Sequence, residues 1–170
     1  MNGTYVEVGG RPALVFERRL AHPVDAVWRA ITEPGELAAW FPNRVEIDAR
    51  VGGRMHFRFP EGMDYPEMEG EVLVYDPPRS FHCTMVPDEL RFDLEALADD
   101  SCLLRLTDVL SESEKAARDA AGWHVCLDTL DDHLSGVKTA APGREPGTAW
   151  KSHYDRYVAQ GLPSGAEIPG

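Results

Sequence analysis

One stretch near the C-terminus constrains the fold more than any other. Ala116, Ala120, Trp123, Leu127, Leu130, Leu134 and Val137 recur at alternating spacings of four and three, which predicts a long helix from about Ser113 to Val137 with a single apolar stripe. Arg118, Asp119, Asp128, Asp132 and Lys138 fall on the opposite side. Ser111 and Glu114 stand at capping-box spacing before it and Gly136 near its end. A helix with one stripe needs one apolar surface to cover, so the rest of the chain must supply that surface.

The preceding segments read as a sheet. A short apolar run from Ala13 to Leu20 stops at His22-Pro23 and predicts a first strand. Pro23 opens a helix whose Val24, Val27, Trp28 and Ile31 share a face, and Pro34 opens a shorter one carrying Leu37, Trp40 and Phe41. The period then changes to two. Val45 and Ile47 lead through Gly52-Gly53 into Met55, Phe57 and Phe59 as a hairpin, and a loop from Pro60 to Pro66 leads into a strand over Glu69 to Tyr75. Pro77-Pro78 turns the chain into the alternating Phe81, Cys83 and Met85. Leu90 to Ala96 and Cys102 to Leu110 pair around Asp99-Asp100. The expectation is an α+β domain over 13–138, with about seven antiparallel strands, two short helices after the first of them and one long covering helix. Residues 1–12 read as a flexible polar lead-in. Residues 139–170 read as an extension, with a Pro/Gly-rich connector, a short helix near 149–160 that aligns Trp150, Tyr154, Tyr157 and Val158, and a frayed end from Leu162.

Composition narrows the partners. A formal charge of -12 over 170 residues repels phosphate backbones and anionic membrane surfaces, so neither nucleic acid nor membrane is expected as a partner. No apolar run reaches the length of a bilayer span. Cys83, Cys102 and Cys126 are odd in number and scattered, which suits free thiols and a cytoplasmic location.

The stretch from Pro23 to Pro34, the downstream Leu37 and Trp40-Phe41, the turns Gly52-Gly53 and Asp76-Pro77-Pro78, and Gly122-Trp123 followed by Leu127, Leu130 and Leu134 together resemble a bacterial subfamily of the SRPBCC, or START-like, superfamily. That subfamily is named for homologues of the activator of the Hsp90 ATPase. The resemblance runs from about Ala13 to Val137 and implies a helix-grip fold, in which a curved sheet wraps a long C-terminal helix, often with an apolar cavity between them. Since a fold does not imply a function, the leading reading, binding of a small, largely apolar organic ligand in that cavity, is an expectation that rests on the cavity. It leaves open a cyclase- or hydrolase-like enzyme and a protein-interaction or co-chaperone-like module.

No nucleophile elbow, dinucleotide fingerprint, phosphate loop or zinc-protease motif is present, so no cofactor and no catalytic residue is assigned. Parity along the strands aims Phe57, Phe59, Tyr75, Phe81, Met85, Phe92 and Asp108 at the space beneath the helix, which adds Trp123 and Leu127; these nine are the candidate ligand-binding residues. Asp108 is the polar one. Its carboxylate either reaches a wet rim or meets a buried donor or a ligand, and in an enzyme Asp108 or His124 would move the proton. Trp40-Phe41 either pack in the core or flank a cavity mouth, where they would meet a ligand or a second copy in a homodimer. The same parity turns His56 and Arg58 to solvent, and neighbours along a strand separate His82 from Cys83. His124 and Asp128 lie four apart on the long helix, with Asp131 and Asp132 near them, but no third ligand is evident in the sequence, so the reading is an acidic solvated face and no metal.

Overall fold

A computed structural model describes residues 2–59, 66–139 and 147–168. Within it the chain runs β1 (Thr4–Val8), β2 (Arg11–Leu20), α1 (Val24–Thr32), α2 (Pro34–Leu37), β3 (Arg44–Ile47), β4 (Arg54–Arg58), β5 (Met68–Asp76), β6 (Ser80–Met85), β7 (Asp88–Ala96), β8 (Cys102–Val109), α3 (Ala116–Leu134) and α4 (Thr148–Ala159). The eight strands form one antiparallel sheet in the order β1-β2-β8-β7-β6-β5-β4-β3. From β3 to β8 each strand pairs with its successor, and β8 returns to pair with β2. This is the α+β helix-grip architecture, with α3 laid against the inner face.

The sheet has one strand more than the sequence suggests. The expected loose lead-in over 1–12 contains a strand: β1 pairs with β2 from Thr4↔Val15 to Val8↔Arg11. Gly9 and Gly10 form the turn at φ 59° and 79°, the left-handed pair that a two-residue hairpin demands and that glycine adopts without a Cβ clash. At Gly3 an added Cβ would lie 2.4 Å from the Phe16 ring, so only glycine lets the chain cross that ring.

Alternation seats the core. Leu14 and Phe16 on β2, Leu90 and Phe92 on β7, and Leu104 and Leu106 on β8 are buried side by side on the inner face. Opposite them α3 buries Ala116, Ala120, Trp123, Leu127 and Leu130. Val137 is beyond the helix and 52% exposed. The capping box does not form: a 3-10 turn at Ser113–Lys115 precedes α3, and the helix starts without a side-chain cap. One early N–H donor finds its partner in the C-terminal tail, which a side chain of α3 also meets. The Ala117 N–H donates to the Pro163 carbonyl at 2.9 Å, and the Arg118 guanidinium reaches the Glu167 carbonyl. The tail after α4 therefore folds back over the start of α3 rather than fraying from Leu162.

Two smaller expectations also change. Pro23 is the residue before α1, not its first helical residue. Phe59 follows the end of β4 and is half-buried, outside the main cluster of buried side chains. The predicted loop at Pro60–Pro66 and the connector at Thr139–Thr148 fall mostly outside the described residues. Among those described, no helix is long and apolar enough to cross a membrane.

Candidate functional site

Between sheet and helices lies a cavity of about 10 Å³, room for about one water molecule. Its lining is apolar throughout and includes Ile31 and Leu37 from the helices, Phe41, and Met55, Phe57, Phe81 and Phe92 from the sheet. Three of the nine sequence candidates, Phe57, Phe81 and Phe92, meet there. The others do not line it. Tyr75 packs instead on Phe81 and Trp28, Met85 is half-buried at the edge of the core, and Leu127 is buried in the α3 stripe. The lining residues outside those nine are Ile31, Leu37, Phe41, Val45, Met55, Cys83 and Leu90. Their parity and helical spacing were legible, but which inward side chains border a gap depends on how neighbours pack. Trp40 is fully buried and donates its indole N–H to the Ala30 carbonyl at 2.9 Å, so the core alternative holds for Trp40, whereas Phe41 is buried and lines the cavity.

Asp108 sits deeper than a rim. Its strand register places it between Leu14 on β2 and Leu90 on β7, and only 2% of it is exposed. The Trp123 indole donates to Oδ2 at 2.8 Å, while Oδ1 has no hydrogen-bond partner among the described residues. Burial drives its pKa up to about 8, with the Asp119 carboxylate pushing the same way against the Trp123 bond. At neutral pH Asp108 is thus mainly a neutral acid. Its proton belongs on the unpaired oxygen, since the other already accepts from Trp123.

Phe41 connects this polar corner to the cavity. Its ring centroid is 5.6 Å from that of Trp123 and 6.1 Å from that of Phe57, so it bridges helix and sheet between Asp108's partner and the gap. Phe41 follows α2, a helix of four residues. Charged pairs border the far side of Asp108: Arg118 holds Asp119 at 2.7 Å and Lys115 bonds Asp88.

The two residues singled out for proton transfer do not share a site. Trp123 turns inward to Asp108, whereas its neighbour His124 turns to α4 and bonds the Tyr157 hydroxyl at 2.8 Å through Nδ1. Cys83, Cys102 and Cys126 are free and buried; desolvation pushes the Cys83 and Cys126 thiols up to about 12, so none is primed as a nucleophile.

The family model described as "Activator of Hsp90 ATPase homolog 1-like protein" matches residues 21–135, more than half of the chain. The chain belongs to that family. No curated protein matches the sequence. Among solved structures, CalU16 from Micromonospora echinospora is similar at 24% identity and TM-score 0.69, with 93% of each chain covered. A conserved protein of unknown function from Enterococcus faecalis, EF2215, is similar at 21% identity and TM-score 0.75, covering 93% of this chain and 89% of its own. DynU16, a protein of the dynemicin biosynthetic locus, gives 21% identity and TM-score 0.65 over 78% of this chain and 51% of its own. These likenesses show the fold alone.

Proposed function

We propose that the protein binds one small, largely apolar molecule bearing a hydrogen-bond acceptor in the space between the sheet and α3, with Asp108 as the polar contact. One observation carries this reading: a buried carboxyl inside the grip whose Oδ1 lacks a partner. In a purely structural core, a hydrophobic residue of similar size would serve at least as well. As a neutral acid, Asp108 donates from that oxygen, and a ligand carbonyl or ether oxygen would accept. DynU16's place in a biosynthetic locus is in keeping with a small organic ligand.

The present cavity is far below the several hundred cubic ångströms that such a ligand needs. Binding therefore displaces side chains, and Phe41 is the one whose withdrawal joins the cavity to the Asp108–Trp123 corner. The test is a titration with a bicyclic aromatic ketone and its parent hydrocarbon. Wild type should bind one equivalent and prefer the ketone, Phe41→Ala should bind both more tightly, and Asp108→Leu should lose the preference. If neither wild type nor Phe41→Ala binds either probe at millimolar concentration, the reading fails. The nearly filled interior favours a second reading in that case, an interaction module that works through its outer surface.

A further inference from the structure

The geometry points to a divalent transition-metal site, of the kind that takes zinc, in which His124 and Asp128 of α3 and His153 of α4 are the protein ligands. One ligand atom from each lies within 4.8 Å of the other two. The two helices each contribute an i,i+4 pair: His124 and Asp128 face His153 and Tyr157 across the α3–α4 seam. Two imidazoles and one carboxylate match the preference of zinc-class ions, and three protein ligands leave a fourth position open. This site lies on the α4 side of α3, away from Asp108, and stands independently of the interior reading.

Two further features favour a ligand role over an incidental cluster. His124 is 7% exposed and its Nδ1 is held by the Tyr157 hydroxyl, which in turn accepts the Gly3 N–H at 2.8 Å. Ligation uses the tautomer in which Nδ1–H donates to the Tyr157 oxygen, which fixes the ring and leaves the Nε2 lone pair free, 3.8 Å from Asp128 Oδ2. The Nδ1 of His153 is buried and has no hydrogen-bond partner among the described residues.

Metal binding requires specific adjustments. The two rings now stack with centroids 3.8 Å apart and planes 19° from parallel; His153, at the half-buried position, must turn so that its nitrogen and that of His124 converge on one point. Asp128 has a side chain 56% exposed and can swing inward. It must loosen its contact with the Arg18 guanidinium at 3.7 Å, a cation that also opposes the incoming charge. Once bound, the ion would tie α4 to α3 and stabilise the folded state by mass action.

The experiment is calorimetric titration of chelator-treated full-length protein with Zn²⁺, paired with Co²⁺ absorption spectra. The expected result is one equivalent bound, a Co²⁺ spectrum of nitrogen and oxygen ligation, and a rise in Tm on adding Zn²⁺. Asp128→Asn, at an exposed position that preserves the fold, and His153→Gln should each weaken binding at least about tenfold, and Tyr157→Phe by about tenfold through loss of the outer hydrogen bond. Absence of binding at millimolar Zn²⁺, a thiolate charge-transfer band, or affinity unchanged in both Asp128→Asn and His153→Gln would each overturn the assignment.

Discussion

The two sides of α3 solve the same problem with opposite groups. Toward the sheet, Trp123 meets Asp108, a carboxyl that burial holds protonated to about pH 8. Toward α4, the next residue His124 meets Tyr157 and His153, and burial holds its imidazole unprotonated down to about pH 3. Neither Asp108 nor His124 carries a full charge at neutral pH, yet one is a latent donor and the other a latent metal ligand. Burial shifts any ionisable group toward its neutral form, and the type of group decides whether a proton or a lone pair is presented.

A charge placed in the buried stripe of α3 should have the largest effect. Leu130 is fully buried in the α3 stripe, and Leu130→Arg would put an unpaired charge there. We expect unfolding, or a loss of about 3 kcal/mol or more in denaturant titrations. A loss under about 1 kcal/mol would show that α3 does not carry the two sides together.

Tyr157→Phe breaks the outer side alone. It leaves the Gly3 N–H and His124 Nδ1 without their shared partner, which should cost about 1–3 kcal/mol. The probe affinities of the interior should stay the same, since this contact lies on the other face of α3.

The opposite pKa shifts sharpen the comparison further through pH. Between its unfolded value of 3.8 and its folded value of about 8, Asp108 holds a proton that the unfolded chain has shed, so its contribution falls as pH rises. Between about 3 and 6.5 the unfolded chain holds a proton that folded His124 lacks, so that contribution grows with pH. Asp119, raised by burial, adds to the first slope, and His153, lowered by burial, adds to the second. The slopes oppose each other up to about pH 6.5. Above that, stability measured by denaturant unfolding should decline toward pH 8 by up to about 1.4 kcal/mol per pH unit from Asp108. Asp108→Asn should flatten most of that decline. A decline of equal slope in the variant would assign it elsewhere.

The smallest effect is expected outside both regions. Arg58 is on the outer face of β4 and pairs with Glu46 and Glu67 at exposed positions. Arg58→Ala should change stability by less than about 0.5 kcal/mol and probe binding not at all; a larger loss would mean that the outer face of the sheet takes part in one of the two sites.

The two sides differ in how much of each the sequence reveals. The inner side is legible because alternation and helical spacing are local: Leu104 and Leu106 aim Asp108 inward, and the stripe through Leu127 aims Trp123 at the sheet. What stays hidden there is the size of the gap, which depends on how side chains such as Phe41 and Met55 fill it rather than on where they point. The outer side is hidden almost entirely. His124 and Asp128 are visible as a pair, but His153 joins them only because α4 docks on α3, and no spacing reports a contact across 29 positions. A local signal does exist for β1, where Gly9-Gly10 stands between Val8 and Arg11; read as part of a polar lead-in, it conceals a hairpin turn that the positive φ angles make plain.

Both the ligand contact and the pH dependence require Asp108 to be a neutral acid inside the folded domain. Carboxyl ¹³C NMR of Asp-labelled protein, titrated from pH 4 to 9 and assigned with Asp108→Asn, follows that one group. A midpoint near 8 is the expected result, and a midpoint close to the ordinary aspartate value of 3.8 would contradict the account.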